Sequence, residues 1–178
     1  MKPSKSIPAG SPFAGGKRDR RILGRAQDEG IGDPYKLRRK LPEPTLCPAC
    51  GAVYHEGRWQ WMELVPAGAH QELCQACHRI NDQYPAGILT LKGPIVREHR
   101  DEIVNLARNL EQAEKQEHPL NRIMAIDREE PDTLVITTTD IHLPRRIGTA
   151  VHHAFHGDLK LHFDEDGYSI RVDWIRES

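Results

Sequence analysis

A chain of 178 residues with 25 Lys and Arg, 26 Asp and Glu and four cysteines carries a formal charge of −1, and has room for one ordinary domain or for a small module beside a compact α/β domain. No apolar run approaches the ~18 residues of a membrane span, which excludes a helical membrane protein and leads us to expect a soluble, cytoplasmic one. The near-zero charge hides an asymmetry: residues 1–40 carry a net +7, residues 41–86 a net −3 and residues 87–178 a net −5.

The first 40 residues are rich in Gly, Pro, Ser and basic side chains. Such a segment buries too little apolar surface to offset its ordering entropy, so a disordered basic arm is expected over 1–40. Its densest cluster is Lys17, Arg18, Arg20 and Arg21, followed by Arg38, Arg39 and Lys40. Basic arms of this kind neutralise phosphates and release counterions, which favours nucleic acid over a merely solvated tail. Another anionic macromolecule would serve equally.

Leu41-Pro42-Glu43-Pro44 leads in extended form to the four cysteines, which stand as Cys47-Pro48-Ala49-Cys50-Gly51 and Cys74-Gln75-Ala76-Cys77. Two residues between the members of each pair let both sulfurs point at one ion, and 23 residues between the pairs suit a hairpin that closes a tetrahedral thiolate site. The expected ligand set is Cys47, Cys50, Cys74 and Cys77 around a structural zinc. Two disulfides would need an oxidising compartment, and no secretory signal is visible in the first residues. A redox pair explains two cysteines and idles two. Cys74-x-x-Cys77-His78 matches the c-type haem motif but ignores Cys47 and Cys50. Ala52 to Trp61 reads as the β-hairpin stem of a zinc ribbon over 41–86, with Trp59 and Trp61 on one strand face. Residues 62 to 73 read as a loop, and His78 to Tyr84 as a short helix stopped by Pro85.

From Gly87 the periodicity predicts an α/β domain over 87–178. Ile88 to Leu91 is a strand. Val96, His99, Ile103, Leu106, Leu110 and Ala113 mark one long amphipathic helix from Pro94 to about Gln116. Arg122 to Asp127 and Thr133 to Thr137 are strands joined by an acidic turn at 128–132. Asp140 or Thr139 caps a second helix with Leu143, Ile147, Val151 and Ala154 buried and Gly157 just past its end. Leu159 to Phe163 and Tyr168 to Trp174 alternate as a hairpin. The order β-α-β-β-α-β-β predicts an α+β protein: a four-cysteine zinc ribbon followed by a ferredoxin-like sandwich with one strand appended.

The chain has no phosphate-binding loop, dinucleotide fingerprint or nucleophile elbow, and its cysteines are committed, so no catalytic residue and no small-molecule substrate is assigned. His99, Asp101 and Glu102 read as a surface patch beside a core-facing histidine. Arg145, Thr149, His152 and His156 form a polar helix stripe that reads as a solvated face; His152 and His156 lack an assured third ligand. Thr137-Thr138-Thr139-Asp140 reads as capping rather than an anion cradle.

Asp33-Pro34-Tyr35, Glu43-Pro44-Thr45, the Cys47 to Val53 knuckle, Gly57 to Trp61, Glu98 to Glu102, His118-Pro119-Leu120 and Thr137 to Leu143 together resemble a family of small, uncharacterised bacterial zinc-ribbon proteins. The layout is also distantly similar to the N-terminal part of the archaeal and eukaryotic export adaptor of the large ribosomal subunit. That similarity implies paired knuckles, an α/β domain and association with ribosomal RNA. The expectation is therefore a non-enzymatic RNA- or ribosome-associated zinc protein, contacting nucleic acid through the arm and through Arg58, Trp59, Trp61 and Arg79. The alternative is a protein-interaction adaptor in regulation or stress response that uses the acidic α/β domain.

Overall fold

Two sheets organise the chain, one around the cysteines and one behind them. The computed structural model describes residues 32–165 and 167–177; the Lys17, Arg18, Arg20 and Arg21 cluster lies outside them. The first sheet has the order β3-β2-β1-β4, with β1 at Thr45–Leu46, β2 at Val53–His55, β3 at Arg58–Gln60 and β4 at His70–Gln71. Strands β2 and β3 are joined by Glu56 and Gly57, both at positive φ (52° and 77°), the two-residue turn whose twist matches a right-handed hairpin. Strand β4 falls inside the stretch expected to be loop and pairs parallel with β1. Helix α1 spans Gln75–Asn81, so it starts inside the second cysteine pair rather than at His78.

Part of the expected arm is seated rather than loose. Leu37 and the buried Leu41 pack on the cysteine module, Tyr35 donates its hydroxyl to Asp82 (2.8 Å), and Arg39 pairs with Glu72 (2.5 Å).

The second sheet has the order β6-β7-β5-β9-β8, from β5 (Gly87–Lys92), β6 (Ile123–Glu130), β7 (Thr133–Thr138), β8 (Asp158–Phe163) and β9 (Ile170–Ile175). Three helices accompany it: α2 (Pro94–Glu98), α3 (Arg100–Glu117) and α4 (His142–Phe155). The single helix expected from Pro94 onward is broken at His99 (φ −114°, ψ 25°), where the ring packs on Phe155 at 5.2 Å. Residues 128–130, expected to turn, continue β6, and the reversal is confined to Pro131 and Asp132.

Strand β7 pairs antiparallel with both β5 and β6, as the split β-α-β reading requires. The far side differs from expectation. Strand β9 is not appended outside but runs parallel to β5, between β5 and β8. The side chains explain the exchange. Ile170, Val172 and Trp174 of β9 are almost fully buried, whereas Leu161 and Phe163 of β8 remain 42% and 54% exposed. The strand with the larger continuous apolar face takes the central position.

Leu89, Leu91, Ile103, Ile136, Leu143, Ile147 and Trp174 form the core between sheet and helices. Ala113 and Ala154, expected inside, are exposed; Glu114 and Phe155 turn inward instead. Gly93 has φ +123°, and a Cβ there would lie 1.8 Å from the Arg176 carbonyl oxygen, so only glycine lets the β5–α2 turn pass the end of β9.

Candidate metal centre

The first knuckle is a tight turn held by its own backbone. The Gly51 N–H donates to the Cys47 carbonyl (2.9 Å), the Cys47 N–H donates to the Ala52 carbonyl (2.8 Å), and Gly51 sits at φ +80°. The second knuckle uses a helix start: Cys74 is extended (φ −72°, ψ 160°) and Cys77 lies in the first turn of α1. The Cys74 N–H donates to the Cys47 sulfur at 3.3 Å, locking the two knuckles together.

The Sγ atoms of Cys47 and Cys77 lie 3.7 Å apart and those of Cys50 and Cys74 3.8 Å apart. All four lie within 4.8 Å of one another, and all four are free thiols. A disulfide would bring two sulfurs to about 2.05 Å. A tetrahedron of sulfurs about 2.3 Å from a central ion has edges of about 3.8 Å. The geometry is that of four ligands around one metal ion. With four thiolates, no position is left for water or substrate.

One further residue completes the site. Arg122, at the entry to β6, is 7% exposed and aims its guanidinium at the sulfurs: Nη2 donates to Cys50 (3.1 Å) and Cys74 (3.7 Å), and Nη1 to Cys77 (3.4 Å). Its Nε donates to the Pro119 carbonyl (2.6 Å), and its backbone N–H donates to the Thr139 hydroxyl (2.9 Å), which fixes the fork. Thr139 in turn donates to the Leu120 carbonyl (2.6 Å), and Leu120 packs against the cysteine module. Four thiolates around a divalent ion leave a net −2, and Arg122 returns one positive charge at hydrogen-bonding range. Sequence alone does not single this residue out, because one arginine 45 residues beyond Cys77 has no local pattern.

The electrostatics of the metal-free thiols agree with that arrangement. The hydrogen bond from Cys74, assisted by Arg122, holds the Cys50 thiol low, at about 4. The same bond and burial push Cys74 up, and burial raises Cys77. Burial opposes the Arg122 charge, but its contacts with Cys50, Cys74 and Cys77 outweigh it and strengthen its hold on the proton.

The other residues expected to form a nucleic-acid contact are dispersed. Arg79 is 2% exposed: it pairs with Asp33 (2.5 Å), donates to the Tyr84 carbonyl (3.2 Å) and stacks over the Tyr35 ring (4.5 Å). Its guanidinium is therefore a rivet between the arm and the module, not a ligand contact. Trp59 is 8% exposed and edge-on to Tyr54, and Trp61 lies past the end of β3. The two indoles do not share a strand face. Trp61 donates its N–H to the Lys115 carbonyl (2.7 Å) at the end of α3. Arg38, Arg39, Lys40 and Arg58 are exposed, with Arg39 engaged by Glu72.

Asp140 behaves as a cap: one carboxylate oxygen accepts the N–H groups of His142 (2.7 Å) and Leu143 (2.9 Å). His152 is hydrogen-bonded through Nδ1 to the Gly157 carbonyl (2.9 Å). Among the described residues, the four cysteines are the one group of three or more ligating side chains placed to share an ion. Arg145 and Thr149 line an open groove of about 900 Å³ between α3 and α4, where Glu114 holds Arg146 and Asn121. No helix among the described residues is long and apolar enough to cross a membrane. Comparison of the chain with family models, with characterised proteins and with solved structures gives no match.

Proposed function

We propose that the cysteine module is a zinc ribbon, and that the chain is a non-enzymatic, RNA- or ribosome-associated protein whose ribbon positions a basic arm on phosphates. Zinc is the ion because a closed, four-thiolate, tetrahedral set with no open position is its usual structural site. The observation that carries the RNA reading is the charge layout. A net +7 is confined to residues 1–40, and its last members, Arg38, Arg39 and Lys40, are exposed between Leu37 and Leu41, which pack on the metal module. The distant similarity in layout to the ribosomal export adaptor is in keeping with this reading.

The test is sedimentation against ribosomal subunits, and pull-down with and without nuclease. Binding to RNA should fall steeply with salt, and replacing Lys17, Arg18, Arg20 and Arg21 should lower that slope by up to about one per lost phosphate contact. Binding indifferent to salt, or unchanged on removal of residues 1–40, rejects the reading.

A second reading has its own observation. Edge strand β8 shows Leu161 and Phe163 to solvent, with Ile175 exposed on neighbouring β9. An edge with apolar side chains is a place for a protein partner to add. Capture of one protein after complete nuclease digestion would favour an adaptor.

A further inference from the structure

Helix α4 carries two stripes at three- and four-residue spacing. Leu143, Ile147 and Val151 are buried in the core, whereas His142, Arg146, Thr149 and His153 are exposed. The exposed stripe and Arg145 form one wall of the open groove of about 900 Å³, and Leu110 and Glu114 of α3 line the other. His118 and Asn121, just beyond the end of α3, complete it.

The groove is basic in a region that is otherwise acidic. Residues 87–178 carry a net −5, yet the described residues lining the groove include two arginines, three histidines and a single carboxylate. That carboxylate, Glu114, is 7% exposed and is held by Nη1 of Arg146 and by the Asn121 amide (3.0 Å). It is neutralised at the groove's base, while the Arg146 side chain stays about half exposed. The neighbouring Asp140 turns one oxygen to the start of α4. Arg145, His118, His142 and His153 are all exposed.

Dimensions decide the class of anion. His142 and His153 stand about 16 Å apart along the helix axis, at 1.5 Å per residue. A single phosphate spans a fraction of that length, whereas a strand with phosphates in series spans it all. Guanidinium forks and imidazole N–H groups are donors suited to phosphate oxygens. Phe163, 54% exposed, adds an aromatic ring at the same place, with the Arg145 guanidinium carbon 5.9 Å from its centre. Cations in a groove beside an aromatic surface hold single-stranded nucleic acid; an acidic protein has no need of the ring.

We infer that the α3–α4 groove binds the backbone of single-stranded RNA, with Arg145, Arg146, His118, His142 and His153 donating to successive phosphates. This deepens the RNA reading and rests on it, since it adds a second phosphate-binding surface, on the second sheet's unit, to the one the arm provides.

The experiment is fluorescence anisotropy of a short labelled oligouridylate with the metal-loaded full chain over a series of salt concentrations. Replacing Arg145 and Arg146 by Gln should lower the salt slope by about 0.7 for each arginine and weaken binding about fivefold for each near 0.1 M salt. Arg145→Gln with His153→Gln leaves the Glu114 pair untouched and should still lower the slope by about 0.7 or more, with metal content and circular dichroism unchanged. The losses should add to those from replacing Lys17, Arg18, Arg20 and Arg21. Groove variants that keep wild-type affinity and slope, while the arm variant loses both, overturn the groove site and leave the arm-based reading standing. Loss in the groove variants alone supports the site and rejects the arm's part. No RNA binding by the unaltered chain rejects both. Polyglutamate that displaces the label as well as unlabelled oligouridylate does, charge for charge, assigns the groove to an acidic protein and overturns the RNA site.

Discussion

Arg122 and Arg79 show how little a residue type says about its work until its surroundings are known. Both are buried arginines, one holding thiolates and the other holding a carboxylate. Replacing Arg122 by Ala removes the charge that offsets the thiolates. We expect a 10–100-fold loss of metal affinity, read by competition with a chromophoric chelator. Arg122→Lys should fall between, because an ammonium keeps the charge but cannot fork. Arg79→Ala leaves the Tyr84 carbonyl without its donor and frees the partly exposed Asp33, and should cost about 1–3 kcal/mol in urea unfolding, with little effect on any RNA affinity beyond that loss. Because all four sulfurs bind the ion as thiolates, protons compete with it, so metal affinity should fall steeply from pH 8 to pH 5 in the same chelator competition. The ligand cysteines were legible because their spacing is a local rule. Arg122 was not, because its role exists only once β6 is folded against the module.

At the scale of elements, periodicity located every strand of the second sheet and the fourth helix, but it misplaced ends and neighbours. Alternation fixes which side chains share a face of a strand: Ile170, Val172 and Trp174 share the buried face of β9, whereas the same alternation in β8 leaves Leu161 and Phe163 in solvent. It does not fix which strand sits beside which, and so the placement of β9 inside β8 required comparing how much apolar area each can bury. The short pairing of β4 with β1 was missed because two residues, His70 and Gln71, carry no pattern. Gly93 is the element-level weak point. Gly93→Ala combines a left-handed backbone with a collision at the Arg176 carbonyl, and should destabilise by at least about 1–3 kcal/mol, lowering the thermal midpoint by several degrees. The same substitution at Gly32, where nothing lies within 4 Å, is the control and should be nearly silent.

At the scale of the molecule, metal and fold are one equilibrium. The thiolates gather only when the knuckles close, so binding energy is folding energy for the cysteine module. Chelation should expose Trp59 and shift its emission to the red, and the change should reach the second sheet because Leu120, Arg122 and the Trp61–Lys115 bond all cross the seam. Hydrogen exchange at the β6 amides on metal removal measures this; protection at Ile123 should drop along with that of Val53. Asp33, Tyr35, Leu37 and Arg39 add their own contacts to the module, so the same loss of metal should loosen residues 33–39 as well.

The guanidinium that reaches the sulfurs comes from beyond α3, so a peptide cut to end at Tyr84 would own every ligand yet lack the counter-ion that makes them compatible at such close range. The smallest fragment able to reproduce the native centre must extend through Arg122 and the threonine that steadies it. Any transplant of this motif into another scaffold inherits the same requirement.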